Sequence, residues 1–215
     1  MILAVDHLAW NVAALDPAVA GLAAEGWTCR FREPDLANAA EKAPFLRAPA
    51  PRHGIALLRR PPAPQLEVTC HGAQAAPPAR HWRRQGGRIG LNAAAPAREA
   101  EFLVAGLGFA AEDGVLRLAS PLPGGGGTVE IAADAATPEQ GWLDDDGCTC
   151  LALIANRIDE DLARCRAAGA RDVSAVFTLT VGGRQLAIAL LRTPGGAPLE
   201  LIQPVRAPVG TKAQP

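Results

Sequence analysis

The sequence contains no tyrosine and one methionine, and aromatic residues make up 4% of its 215 positions. With abundant alanine, glycine and proline, this suggests a GC-rich coding sequence, which explains composition and not function. It also lacks a surplus of either charge: the formal net charge is -1 and the pI about 6.4. That excludes the basic surface nucleic-acid binding needs, and the one basic run, ARHWRR at 79–84, reads as a solvated linker. No apolar stretch reaches the ~20 residues that span a bilayer. The start, MILAVDHLAW, has no basic segment before its apolar run, so no secretory signal is read. The five cysteines (29, 70, 148, 150 and 165) form no even, spaced framework, and reduced thiols in a cytoplasmic protein are expected.

Several catalytic signatures are missing as well. The GGGG run at 124–127 is not followed by Lys-Ser/Thr, so it is a turn and not a phosphate cradle. The two serines, Ser120 and Ser174, sit in no G-x-S-x-G elbow. Neither H-E-x-x-H nor a dinucleotide G-x-G-x-x-G in the right setting occurs, which weighs against hydrolase, zincin and NAD-dependent chemistry.

What is present is a threefold repeat. VDHLAWNV (5–12), RIGLNAAA (88–95) and TCLALIAN (149–156) each read as an apolar strand leading into a short helix. Each stretch later ends in a strand with a central glutamate: Glu67, Glu130 and Glu200. At the matching place in the opening strands stand His7, Gly90 and Cys150, so only the first repeat keeps a histidine with its glutamate.

Each repeat reads as βαβββ. In the first, Asp16-Pro17 is taken as the N-cap and first turn of a helix ending near Gly26. A strand at 27–31, a long Pro/Ala-rich loop to about Arg52, and strands at 54–60 and 65–70 follow. The second has a helix from Pro96 to Leu107 stopped near Gly108. The third has Asp159 as helix N-cap and strands at 172–181, 184–192 and 198–204. The modules therefore cover 1–71, 88–132 and 148–204, with linkers near 72–87 and 133–147 and a flexible tail at 205–215. Two such units side by side bury what one cannot. The expected fold is α+β: repeated modules forming a curved mixed sheet, a cup or open barrel, with helices outside. Three modules leave one unpaired, which points to an oligomer, in the simplest case a homodimer.

The opening VDHLAWNVAALDPAVAGLAAEGW and the closing RTPGGAPLELIQP resemble the vicinal oxygen chelate superfamily, which includes glyoxalase I, bleomycin-resistance proteins and extradiol dioxygenases. The resemblance covers most of the chain, weakly in the middle repeat. It implies metal ligands at the opening-strand histidine and closing-strand glutamate of two paired modules. Carried over, His7 and Glu67 match both positions, and Glu130 and Glu200 match the closing one. Gly90 cannot ligate, and a Cys150 thiolate is not the usual choice there. Pairing of modules one and two would offer His7, Glu67 and Glu130; one and three, His7, Glu67, Glu200 and Cys150; a self-paired first module, two of each. The first arrangement is slightly preferred, because sequential modules tend to be neighbours.

Strand alternation is an independent check. His7 shares a face with Ala9 and Asn11, and Glu67 with Thr69 and His71, so these converge if those faces line the cup. An imidazole with carboxylates suits a divalent metal (Zn, Fe, Mn or Ni) with positions open for substrate oxygens. The expectation is a glyoxalase-like lyase, isomerase or dioxygenase acting on a small oxygen-rich substrate. His7, Glu67 and Glu130 are the metal candidates, Glu130 or Glu200 the catalytic base, and Asn11, His53 and His71 the substrate contacts. The alternative is a metal-free small-molecule binding or resistance protein of the same superfamily.

Overall fold

A computed structural model describes residues 1–72, 76–85 and 87–205, so the expected tail, from 206 on, lies outside the described residues. The first module runs β1 (Ile2–Asn11), α1 (Leu15–Ala24), β2 (Thr28–Ala37), β3 (Arg52–Arg59) and β4 (Gln65–Cys70). After β5 (Trp82–Gln85) comes the second: β6 (Arg88–Ala93), α2 (Pro96–Leu107), β7 (Ala110–Glu112), β8 (Val115–Leu118) and β9 (Gly127–Ala133). The third is β10 (Gly147–Ala155), α3 (Ile158–Ala167), β11 (Phe177–Val181), β12 (Arg184–Arg192) and β13 (Pro198–Pro204). The fold is the mixed α+β architecture read from the repeats. No helix among the described residues is long and apolar enough to cross a membrane.

The modules pair first with third, not first with second. Strands β1 and β10 lie antiparallel at the centre of one eight-stranded curved sheet, ordered β11-β12-β13-β10-β1-β4-β3-β2. Its outer edges come together where Glu33 of β2 accepts a 2.6 Å hydrogen bond from the Gly182 amide, in the turn between β11 and β12. One face carries Leu8, Leu58, Leu66, Val68, Leu151, Leu153 and Leu199 into the main core with the helices. The other carries a smaller cluster built on Ala9, Cys150, Ile188 and Leu190.

The middle module forms its own five-stranded sheet, and the basic linker run supplies the strand that pairs its opening strand. Trp82 explains why this run is a docked strand and not a solvated linker: it is buried, and its indole N–H donates to the Pro198 carbonyl at 2.7 Å, while Arg80 and Arg84 stay exposed. Gly90 has a steric reason, since a Cβ there would lie 2.4 Å from Nε of Arg83, which leans across it. The module thus needs no second subunit to pair β6.

Helix boundaries shift by small, explicable amounts. Ala14 takes the N-cap of α1, and Asp16 sits in the first turn, where a carboxylate favours the helix dipole and ion-pairs with Arg32. Arg157 takes the N-cap of α3, and the Gln203 side chain accepts from the Ile158 amide at 2.8 Å. Helix α2 begins and ends as read, stopped by Gly108 at φ 79. Strand β2 runs longer than expected, to Ala37, its Pro34 tolerated on an edge. The loop after it holds a 3-10 turn, Ala40–Phe45. That turn is fastened from behind by the acidic linker. Asp144 accepts the amides of Arg47 and Ala48 at 2.8 and 2.9 Å, and Asp145 pairs with the Arg47 guanidinium. Arg192 completes the fastening. It is 1% exposed, stacks 4.5 Å from the Phe45 ring centroid, and donates to the carbonyls of Gly141 (3.1 Å) and Pro44 (3.2 Å) and to Asp172 (3.0 Å).

Candidate functional site

Three strands of the large sheet bring His7, Glu67 and Glu200 together on the concave face. His7 on β1 is in register with Ala152 on β10, which is in register with Glu200 on β13. The small Ala152 lets the outer two approach across a strand. On the other flank Ala9 sits beside Glu67 of β4. The His7 Nε2 lies 3.6 Å from Glu67 Oε1 and 3.8 Å from Glu200 Oε2, and one ligand atom from each residue falls within 4.8 Å of the other two.

His7 is 2% exposed, and its Nδ1 is held 2.8 Å from Asp6 Oδ2. That contact fixes the ring with Nδ1–H donating, leaving Nε2 aimed between the carboxylates with no hydrogen-bond partner. Burial alone would lower the imidazole's pKa, but Glu67, Asp6 and Glu200 outweigh it and lift it to about 9. Burial, reinforced by Glu67, raises the pKa of Glu200.

These groups line a cavity of about 190 Å³ inside the cup, with Phe31, Ile55, Leu57, Leu186, Ile188 and Ile202 as apolar walls. A deeper recess beside Glu67 and Glu200 reaches Thr69, His71 and Cys150. Burial, then the charges of Glu200 and Glu67, push the Cys150 thiol well above its ordinary pKa, so it stays protonated. A larger groove of about 780 Å³ runs outside the cup past Arg59, Arg117 and Gly124 to Gly127, away from the convergent His/Glu set.

Glu130 is not brought to this site. It lies in the smaller sheet, in register with Gly90, and is ion-paired to Arg88. The reason is the module pairing: the closing strand that faces His7 belongs to the third repeat. Asn11 is turned to a different task. Its Nδ2 donates to the Asp144 carbonyl at 3.1 Å, and its Oδ1 accepts from Thr69 Oγ1 (3.4 Å), the His71 amide (3.3 Å) and His71 Nδ1 (3.1 Å). It therefore orients the recess and does not line the cavity.

His53 lines the cavity and His71 the recess, their rings stacked with centroids 5.1 Å apart. Burial, then the nearby Lys42 charge, lowers the pKa of His53 to about 2 and of His71 to about 4. Both are neutral in the fold, with one unpartnered ring nitrogen each. An unfolded chain protonates histidine near pH 6.5. The stability from burying these rings neutral is whole above that pH and drains as pH falls towards 4, because the unfolded state then binds more protons. The expected slope reaches about 1.4 kcal/mol per pH unit for each histidine. His7 works in the opposite direction and mostly above this window: the stability from its raised pKa is whole below about pH 6.5 and drains as pH climbs from there through about 9. Urea denaturation at pH 7 and pH 5 measures it, and His71→Asn should flatten the dependence.

Lys42, on the 3-10 turn, lines both the cavity and the recess, and sequence reasoning passed over it. A signal was there: the chain has nineteen arginines but only two lysines, Lys42 and Lys212.

No protein-family model matches the chain, and no curated protein matches it. Among solved structures it is similar to glyoxalase I from Zea mays, at 14% identity and TM-score 0.40, over 94% of this chain and 68% of that one. It is also similar to methylmalonyl-CoA epimerase from Mycobacterium tuberculosis, at 15% identity and TM-score 0.48, over 96% and 91%. A virulence protein from Salmonella typhimurium matches at 17% identity and TM-score 0.40, over 54% and 93%.

Proposed function

We propose that the cup binds a divalent metal through His7, Glu67 and Glu200 and acts on a small oxygen-bearing substrate as a glyoxalase-like lyase, isomerase or dioxygenase. One observation carries this reading: a buried imidazole oriented by a carboxylate on one nitrogen, its other nitrogen unpartnered and aimed between two more carboxylates. The donor set fits Zn²⁺, Fe²⁺, Mn²⁺ or Ni²⁺, and three protein donors leave positions for substrate oxygens. Such an ion would polarise a substrate oxygen and stabilise charge developing on it.

The chain's own residues supply the rest. Asp6 holds the His7 ring and raises its basicity. Glu200, on the cavity wall beside His7, is the carboxylate placed to accept a proton from substrate. The apolar walls exclude water, which strengthens each electrostatic contact within. His53 and His71 present neutral ring nitrogens that accept hydrogen bonds from substrate hydroxyls.

A second reading, metal-free binding, draws on Cys150. A protonated thiol stands where a second histidine would complete a four-ligand set. A protonated His7 between carboxylates would then satisfy the site. Metal analysis separates the two. The enzyme reading expects about one divalent ion per chain after reloading and a melting temperature that falls on chelation. Ligand binding indifferent to chelator, with no bound ion, would favour the second.

A further inference from the structure

We infer that Lys42 is the anion-recognition residue of the cavity and that the substrate is a small carboxylic acid with an apolar body. This rests on the metal reading of the same site. The 3-10 turn, clamped by Asp144, Asp145 and Arg192, holds Lys42 over the concave face, where it lines both the cavity and the recess containing Glu67 and Glu200. Among the described residues it forms no ion pair. Its charge is nonetheless felt throughout the site, disfavouring protonation of His53, His71 and Glu200.

The charge balance turns this placement into a preference. Without metal, Lys42 faces a cavity that also holds the carboxylates of Asp6, Glu67 and Glu200. With a divalent ion bound, Glu67 and Glu200 are engaged by it and Asp6 by His7 Nδ1 at 2.8 Å, so Lys42 keeps no carboxylate as its own ion-pair partner in a cavity walled mostly by hydrocarbon. A ligand carboxylate supplies it, and a charged hydrogen bond there is worth more than a neutral one. The volume, about 190 Å³, lies below the roughly 300–1,000 Å³ of sites for drug-sized ligands, so the acid is small. Its apolar part meets Ile55, Leu57 and Ile188. The cavity's other lining cation, Arg184, is exposed and does not reach the recess.

The test is calorimetric titration of the full chain, metal-loaded and metal-stripped, with 2-hydroxy-4-methylpentanoate and with its uncharged amide. The metal-loaded wild type should bind the acid about tenfold more tightly than the amide, or better. Lys42→Gln should abolish that difference while keeping the bound metal and the melting temperature. Lys42→Arg should restore part of it, and Arg184→Gln should leave it intact. Equal affinity for acid and amide, absence of binding by both, or an acid preference that survives Lys42→Gln would each overturn the inference. In the last case the metal itself would be selecting the carboxylate. The metal content of these samples reports separately on the metal reading: a chain that takes up no metal sinks that reading, whereas a metal-loaded chain whose acid preference survives Lys42→Gln sinks this inference alone.

Discussion

His7→Ala should abolish specific metal uptake, weakening affinity on the order of a thousandfold, because even the outer partners of a ligand are worth about 10–100-fold. The effect is large for a geometric reason. His7 is the one nitrogen donor of the three, and its Nε2 lies between the two carboxylates, 3.6 Å from Glu67 and 3.8 Å from Glu200. The substitution also removes the imidazole that offsets the Glu67 charge at Glu200, which should raise the proton affinity of Glu200 further. Glu130→Ala is the matched control. Its carboxylate is ion-paired to Arg88 in the other sheet, so metal content should stay at the wild-type level. Equilibrium dialysis with metal quantification reads both variants, and equal losses would refute the assignment of the site to the first and third modules.

Arg192→Met should lower folding stability by about 3 kcal/mol or more. The guanidinium has no water to fall back on. It contacts Asp172 and the carbonyls of Gly141 and Pro44 and stacks on Phe45, so methionine fills the volume but leaves two carbonyls without their donor. Arg192→Lys should fall between, since an ammonium cannot reach all three acceptors with a planar fork. Urea midpoints at constant m value measure it. A loss below about 1 kcal/mol would mean that water replaces these contacts at little cost.

Much of the architecture is legible in the chain because it is local. Period-two alternation places His7 and Glu67 on one face, and Pro96 and Gly108 bracket α2. The pairing of modules is not legible in this way. An opening strand pairs through backbone groups that every residue carries, so nothing in β1 names β10 over β6 as its partner. Chain proximity favours the wrong neighbour, and Glu130 was drawn into the site by it. The arginines of 79–84 masked a strand because Trp82, not the charges, decides where that segment goes. Lys42 escaped because a proline- and alanine-rich loop carries no periodicity, and its turn is shaped by Asp144, Asp145 and Arg192, about a hundred residues or more away.

The pairing of first with third module has a consequence for assembly. The two halves of the cup end at Cys70 and begin at Gly147, and an independently sheeted body separates them. That body behaves as a folded tether: it sets the effective concentration at which one half meets the other, and the Trp82–Pro198 bond docks it on the later half. During synthesis the edge of β1 must wait, unpaired, until β10 emerges, which makes it the segment most in need of protection from other chains.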